Sequence, residues 1–461
     1  MSKLGQVKEW QKSIVSLLLL YAGKSSGILV NLFFIPLYSR YLGTEQFGIV
    51  AVILSMQALL LMLDLGLSTL VNRDIASGQA TEAEYKRLID NAELALLALY
   101  VLLVLIVWGG YAVGVISSVS LSSAFLSVAL FGLLVLQNLY YCVILARRKY
   151  STASVIQLFG NLSRAIATAV VLIYYSATLP AFIVVQVVFA ALHACITRQY
   201  CRYQFAHFDQ EQKHDLLSQA RWYEVMSLIE RGKSLVLFSL AGAAVMQLDK
   251  PIISMFMTPA SVTPYYLAMT FCMVPISILA GPVSQYFQPR LLQVVAQGRA
   301  ELALQVIRNY VWVLLIVTLL PSSLLWLFRE SFLELWLGSN QNIELIASYT
   351  AVLLPGVSIG ALGFIPYTLL LSIQDYRFQG LASSLLSTVT LGVVALAAYH
   401  DSTNLICLAY ALYHIISTSL SWGRSILLSQ VQDLGIFSLA LAAKVLFFIF
   451  FVVLACTSFV I

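Results

Sequence analysis

The chain has 461 residues, 60% of them hydrophobic and only 10% charged, with a net charge of +5 and a mean hydropathy of +0.89. A soluble domain carries about a quarter charged residues, so composition alone excludes one. Apolar runs of about 20 residues, each long enough to cross a hydrocarbon core, recur from Ile14 onward. A membrane β-barrel is excluded as well, because its strands would be about half as long and would alternate in polarity. The expected fold is an all-α polytopic membrane protein.

Taken in chain order, hydropathy places spans at 14–37, 46–70, 93–116, 122–146, 153–175, 179–198, 234–257, 263–287, 305–328, 345–373, 379–399, 403–423 and 436–460. The start resembles a signal peptide, but the apolar run continues past Lys24 to Pro36 without a small-residue cleavage site. We therefore read an uncleaved first helix. With the N-terminus in the cytoplasm, twenty Lys and Arg of the loops fall inside, against Arg40 and Arg329 outside. That bias sets the orientation. The basic residues are spread over loops with no cluster interleaved with aromatics, so the positive charge does not indicate a nucleic acid partner. The six cysteines lack C-x-x-C spacing and read as small core residues, so neither a disulfide framework nor a metal site is expected. The one soluble stretch of any size, 199–233, is too short for a catalytic domain and reads as an amphipathic helix on the inner surface. Nothing here points to an enzyme.

Two stretches about 220 residues apart correspond. "FGIVAVILSMQALLLMLDLGLSTLVNRDIASGQ" in the second span matches "PYYLAMTFCMVPISILAGPVSQYFQPRLLQVVAQGR" in the eighth in length, direction and terminal charge. His193 and His414 correspond in spans six and twelve. The reading is two pseudo-symmetric six-helix halves, 1–198 and 234–430, joined by the 199–233 linker and followed by a thirteenth helix in 431–461. Parallel repeats of this kind build transporters that work by alternating access.

A charge at mid-bilayer costs at least a few kcal/mol and usually marks function. Lys24 and Arg164 each lie about 15 Å in from the cytoplasmic edge and read as cavity-lining. In "QLDKPII", Asp249 and Lys250 are neighbours whose side chains diverge by about 100° on a helix, so they are expected not to neutralise each other simply. Pro251 cannot donate to the carbonyl of Gln247, which predicts a kink. The functional reading is the wall of a gated cavity, with Lys24 approaching Asp249; the bland one is a structural pair near the outer edge with Lys250 snorkelling outward. Asp64 either caps a helix end or pairs with Arg73. His193 and His414 read as satisfied core histidines before functional ones. Lys444 snorkels from span thirteen. Arg290, at the inner end of span eight, is a secondary candidate. Lys24, Arg164 and Lys250 outnumber Asp249, and a cationic surplus favours an anionic ligand such as a pyrophosphate.

"IPLYSRYLGTEQFGIVAVILSMQALLLMLDLGLSTLVNRDIASG", with "QLDKPIISMFMTPASVTPYYLAM" and the following "QPRL", resembles the Wzx-type polysaccharide flippases of the multidrug/oligosaccharidyl-lipid/polysaccharide exporter superfamily. The resemblance implies transfer of an undecaprenyl-diphosphate-linked oligosaccharide repeat unit, such as that of an O-antigen or lipopolysaccharide, across a bacterial inner membrane. It also implies a proton or sodium gradient as the energy source with no bound cofactor, and a polysaccharide polymerase and a chain-length regulator as partners. Lys24, Arg164, Asp249 and Lys250 would then bind substrate or gate. Family members usually have twelve or fourteen spans, so thirteen is a departure. The alternatives are a multidrug or small-molecule antiporter, whose cavity should carry more acids than bases, a flippase for the peptidoglycan lipid precursor, and a membrane polysaccharide polymerase. The last normally has a sizeable outer loop, and this chain has none. There is no G-x-x-x-x-G-K-[ST], so ATP is not the direct energy source.

Overall fold

A computed structural model describes residues 3–62, 64, 66–77, 81–113, 120–147, 149–204, 219–338, 342–372 and 375–428. Within these, the side chains of 3–26, 28, 29, 31, 62, 76, 77, 219–221, 231–241, 296, 371, 372, 376 and 377 are not described. The expected thirteenth span at 436–460, with Lys444, lies outside the described residues. Those residues are helical nearly throughout, and they include ten helices long and apolar enough to cross a membrane. The protein is a polytopic all-α membrane protein.

The chain folds into two compact units. The first comprises Met1–Leu42 and Ile53–Ala243, the second Gly43–Val52 and Ala244–Ile461. The first unit holds α1 (Lys3–Met62) except for Gly43–Val52, and this helix merges the first two expected spans across a kink at Gly43, whose φ of 73° is left-handed. The remaining helices are α2 (Leu67–Ser77), α3 (Glu82–Ala112), α4 (Leu121–Ala146), α5 (Tyr150–Tyr174), α6 (Leu179–Tyr203) and α7 (Gln219–Gln247). The second unit holds α8 (Asp249–Phe256), α9 (Pro259–Val274), a π-helical turn at Pro275–Ala280, α10 (Gly281–Ala296) and α11 (Ala300–Leu327). It continues with α12 (Arg329–Leu337), α13 (Ile343–Ala361), α14 (Phe364–Ser372), α15 (Tyr376–Tyr399) and α16 (Thr403–Leu427).

Each unit turns its bulk apolar side chains outward, as a lipid-solvated protein should. On α3 these are Leu97, Val101, Leu102, Leu105, Ile106 and Trp108; on α11, Trp312, Ile316, Leu320 and Leu324. Some interior hydroxyls are satisfied along their own helices: Thr168, Thr197, Thr350 and Ser358 each donate to the carbonyl four residues earlier at 2.6–2.8 Å. The most extensive helix contact is α4 with α6 in the first unit and α13 with α16 in the second, and these pairs occupy corresponding places in the repeat.

Small residues allow the second of these contacts. Gly356 and Gly360 stand four apart on α13, a G-x-x-x-G pattern. A Cβ on Gly356 would lie 2.4 Å from the Ala411 Cα of α16, and one on Gly360 would lie 2.6 Å from the His414 ring. The obstacle at Gly356 is backbone and cannot rotate away. Gly356→Ala is therefore expected to push α13 from α16 and cost about 1–3 kcal/mol, the usual cost of overpacking. A lowered midpoint in a thermal melt of the detergent-purified protein checks this, and an unchanged melt would contradict it.

Several local results differ from the sequence expectations. The second span ends at Met62 rather than near residue 70. Asp64 then accepts from the amides of Gly66 (3.0 Å) and Ser68 (3.1 Å), and starts α2 afresh. Gly66, at φ 68°, makes the turn a side chain would strain. α3 begins at Glu82, well before the expected 93, because Thr81 and Glu84 form a reciprocal capping box. Residues 219–233 do not form a separate surface helix. They run straight into the seventh span as α7, and Glu224 accepts from Arg87 (2.8 Å) and Asn91 (2.8 Å) of α3. Arg147 with Glu82, and Arg198 with Glu93, fasten the same end of that unit.

With Arg73 laid on Arg290 the repeats are offset by 290 − 73 = 217 residues, so 58–63 fall on 275–280. The break between α1 and α2, at 63–66, then falls on 280–283, directly after the π-helical turn, so corresponding helices are interrupted within about a turn of each other. The turn follows from its flanks: Pro275 donates no hydrogen bond, and Gly281-Pro282 closes the segment.

Candidate binding and gating residues

In the first unit the charge lies on α5. Arg164 is fourteen residues from the start of that helix and ten from its end, near the middle of the span. Its Nη1 is shielded from solvent and has no hydrogen-bond partner among the described residues. Gln157, Gly160, Arg164 and Thr168 recur at helical spacing, and neighbouring helices answer that face. Tyr38 of α1 donates to the Ala165 carbonyl (3.0 Å), its ring edge-on to Phe182 of α6 at 5.4 Å. Gln186 of α6 donates to Thr168 (3.1 Å). The His193 ring covers Gly160 so closely that a Cβ there would lie 2.3 Å from it. Gln137 of α4 donates to Gln157 (2.9 Å) and stands 3.4 Å from His193 Nε2. With the Gln137 amide nitrogen as donor, His193 Nε2 accepts, and the buried ring is hydrogen-bonded within the unit. The guanidinium has no carboxylate partner among the described residues. Spacing on α5 signals this polar face; its partners Tyr38, Gln137 and Gln186 lie far away in sequence and were missed.

In the second unit the expectation for Asp249 and Lys250 requires correction. The two side chains pair, with Nζ 2.9 Å from Oδ1, and are buried at 0% and 5% side-chain exposure. Lys250 also donates to the Met246 carbonyl (2.8 Å), and Tyr265 of α9 donates to Asp249 Oδ2 (2.7 Å). The Tyr410 ring of α16 meets Tyr265 edge-on at 6.2 Å. A lysine stem is long enough to fold back and overcome a 100° divergence. Lys250 therefore does not snorkel, and it adds no free cation. The predicted kink is present, since α7 ends at Gln247 and α8 begins at Asp249. It falls one turn before Pro251, where the proline withholds its hydrogen bond.

The secondary candidates separate. Asp64 caps α2 through the amides of Gly66 and Ser68. Arg73 does not reach Asp64; it pairs with Asp74 at 2.9 Å in solvent. Arg290 is exposed and lies over the Tyr286 ring at 4.0 Å. His414 Nε2 is shielded and has no partner among the described residues. Lys24 lies on α1, with its side chain outside the described residues.

The fold is that of the MOP-superfamily transporters. It is similar to an inward-facing multidrug resistance MATE family transporter of that superfamily (TM-score 0.70, 15% identity, covering 92% of this chain and 99% of that one). It is equally similar to the lipid II flippase MurJ in an inward closed conformation (0.69, 12% identity, 95% and 93%). A MOP superfamily transporter from Pyrococcus furiosus, described as having a binding pocket of reverse polarity, also matches (0.61, 16%, 92% and 96%). The sequence goes further than the fold: residues 12–295 match the profile of the polysaccharide biosynthesis protein family, and the chain belongs to that family. No protein of curated function matches it.

Proposed function

We propose that the protein is a flippase that moves an undecaprenyl-diphosphate-linked oligosaccharide repeat unit across the bacterial inner membrane, with its N-terminus in the cytoplasm. Family membership and the MurJ-like fold support a lipid-linked sugar as cargo. The observation that carries the reading is Arg164, a mid-span guanidinium with a shielded nitrogen and no carboxylate partner among the described residues. Such a cation is stable in a membrane when an anion or water meets it, and a diphosphate supplies both charge and acceptor oxygens. Asp249 and Lys250 act in this reading as a neutral lock on α8, α9 and α16 that gates rather than binds. A proton or sodium gradient would drive the cycle.

Depletion of the protein from its host tests the reading. Mass spectrometry of lipid extracts identifies polyprenyl-diphosphate oligosaccharides, and an impermeant sugar reagent applied to spheroplasts reports their sidedness. The expected result is a complete repeat unit that accumulates and stays protected. An accumulated unit exposed outside would place the block after translocation, as for a polymerase. No accumulation would return the antiporter reading.

A further inference from the structure

We propose that the exposed face of α10, formed by Gln285, Tyr286, Arg290 and Gln293, is a platform that holds a sugar ring of the transported glycolipid; this rests on the flippase reading above. The four recur at helical spacing on the outer side of the helix, while Ser284 and Leu291 face the core. Gln285 lies within the expected span 263–287, where an amide facing lipid tails costs free energy unless water or a polar ligand meets it, and Arg290 and Gln293 follow at the span's inner end.

Its chemistry suits a hydroxylated ring. A glutamine amide offers a donor and an acceptor side by side, the pattern that adjacent ring hydroxyls present. Pro289 withholds a hydrogen bond from the Gln285 carbonyl, which adds a backbone acceptor on the same face. Tyr286 is 51% exposed, and the ring face that Arg290 does not cover offers a flat apolar surface for the C–H face of a pyranose. The platform has a firm base. Tyr286 meets Phe287 edge-on at 5.1 Å, and Phe287 stacks at 5.0 Å on the fully buried Tyr310. Arg290, held over the Tyr286 ring, presents its donors sideways.

Comparison of the repeats locates the ligand in this unit. Arg73, the counterpart of Arg290, is neutralised by Asp74, whereas Arg290 has no carboxylate partner among the described residues. The stripe also begins just past the π-helical turn. A helix interrupted within about a turn of the same place in two repeats is where transporters of this build bind their cargo.

The test measures binding of two probes to the purified full-length protein in nanodiscs: undecaprenyl diphosphate, and the glycolipid extracted from depleted cells. Tyr286→Ala and the double variant Gln285→Ala/Gln293→Ala are each expected to weaken the glycolipid about tenfold, as loss of a stacking face or two hydrogen bonds would. Both should leave undecaprenyl diphosphate within about twofold, which also shows that the variants are folded. Tyr286→Phe should bind both probes normally. Equal weakening of both probes, or of neither, would overturn the platform and leave the flippase reading standing. Wild-type protein that binds neither probe would overturn the flippase reading and the platform with it.

Discussion

Arg164→Ala is expected to reduce transport by roughly 100-fold or more while leaving the protein as stable as before. The two halves of that result have separate causes. A guanidinium meeting a diphosphate makes about two charge-assisted hydrogen bonds at roughly 1.5–3 kcal/mol each, and each 1.4 kcal/mol is about a factor of ten. Within the protein, by contrast, Nη1 has no hydrogen-bond partner among the described residues, so its removal orphans no acceptor there. Accumulated lipid-linked oligosaccharide in cells, together with an unshifted melt of the purified variant, checks both halves. Arg164→Lys keeps the charge but loses the planar fork, and should be intermediate. Normal transport by Arg164→Ala would remove the anion-site reading.

The Asp249–Lys250 pair is expected to behave in the opposite way. Each group is buried and ion-paired with the other, with Asp249 Oδ2 also accepting from Tyr265 and Lys250 donating to the Met246 carbonyl. Removal of one partner leaves a buried charge without compensation, which costs about 3–5 kcal/mol. Asp249→Ala and Lys250→Met alone should therefore melt early and accumulate poorly in membranes. The double variant Asp249→Asn/Lys250→Met has no charge to strand, and most of that stability should return. Transport distinguishes a lock from a structural brace. If α8 must release α9 and α16 during the cycle, the stable double variant stays slow; full transport by it would make the pair structural only.

These residues also show how far the sequence could be read. Most of the spans were legible because the solvent is lipid, so apolar length alone identifies a crossing helix. Arg164 was legible for the same reason, being a charge where none is cheap. The Asp64 cap could be seen as one of two outcomes, but the choice depended on Gly66 reversing the chain so that the Ser68 amide came within reach. The Asp249–Lys250 pair was misjudged because helical geometry fixes where a Cβ points, not where a four-carbon stem ends. Tyr265, sixteen residues on, completes the cluster, and nothing local announces it. The Gln137, Gln157 and His193 contacts join three helices, and helix adjacency is not written in periodicity. The π-helical turn was hidden too, although its proline and glycine flanks mark an interruption in retrospect.

The most direct test of the central claim is translocation by the purified protein alone. Proteoliposomes would carry the extracted lipid-linked oligosaccharide in both leaflets, with an impermeant sugar reagent added outside. Wild-type protein is predicted to bring nearly all of the glycolipid within reach of the reagent, and Arg164→Ala only the half that starts in the outer leaflet. If wild-type vesicles also stop at half, with and without an imposed proton or sodium gradient, the protein does not flip this lipid.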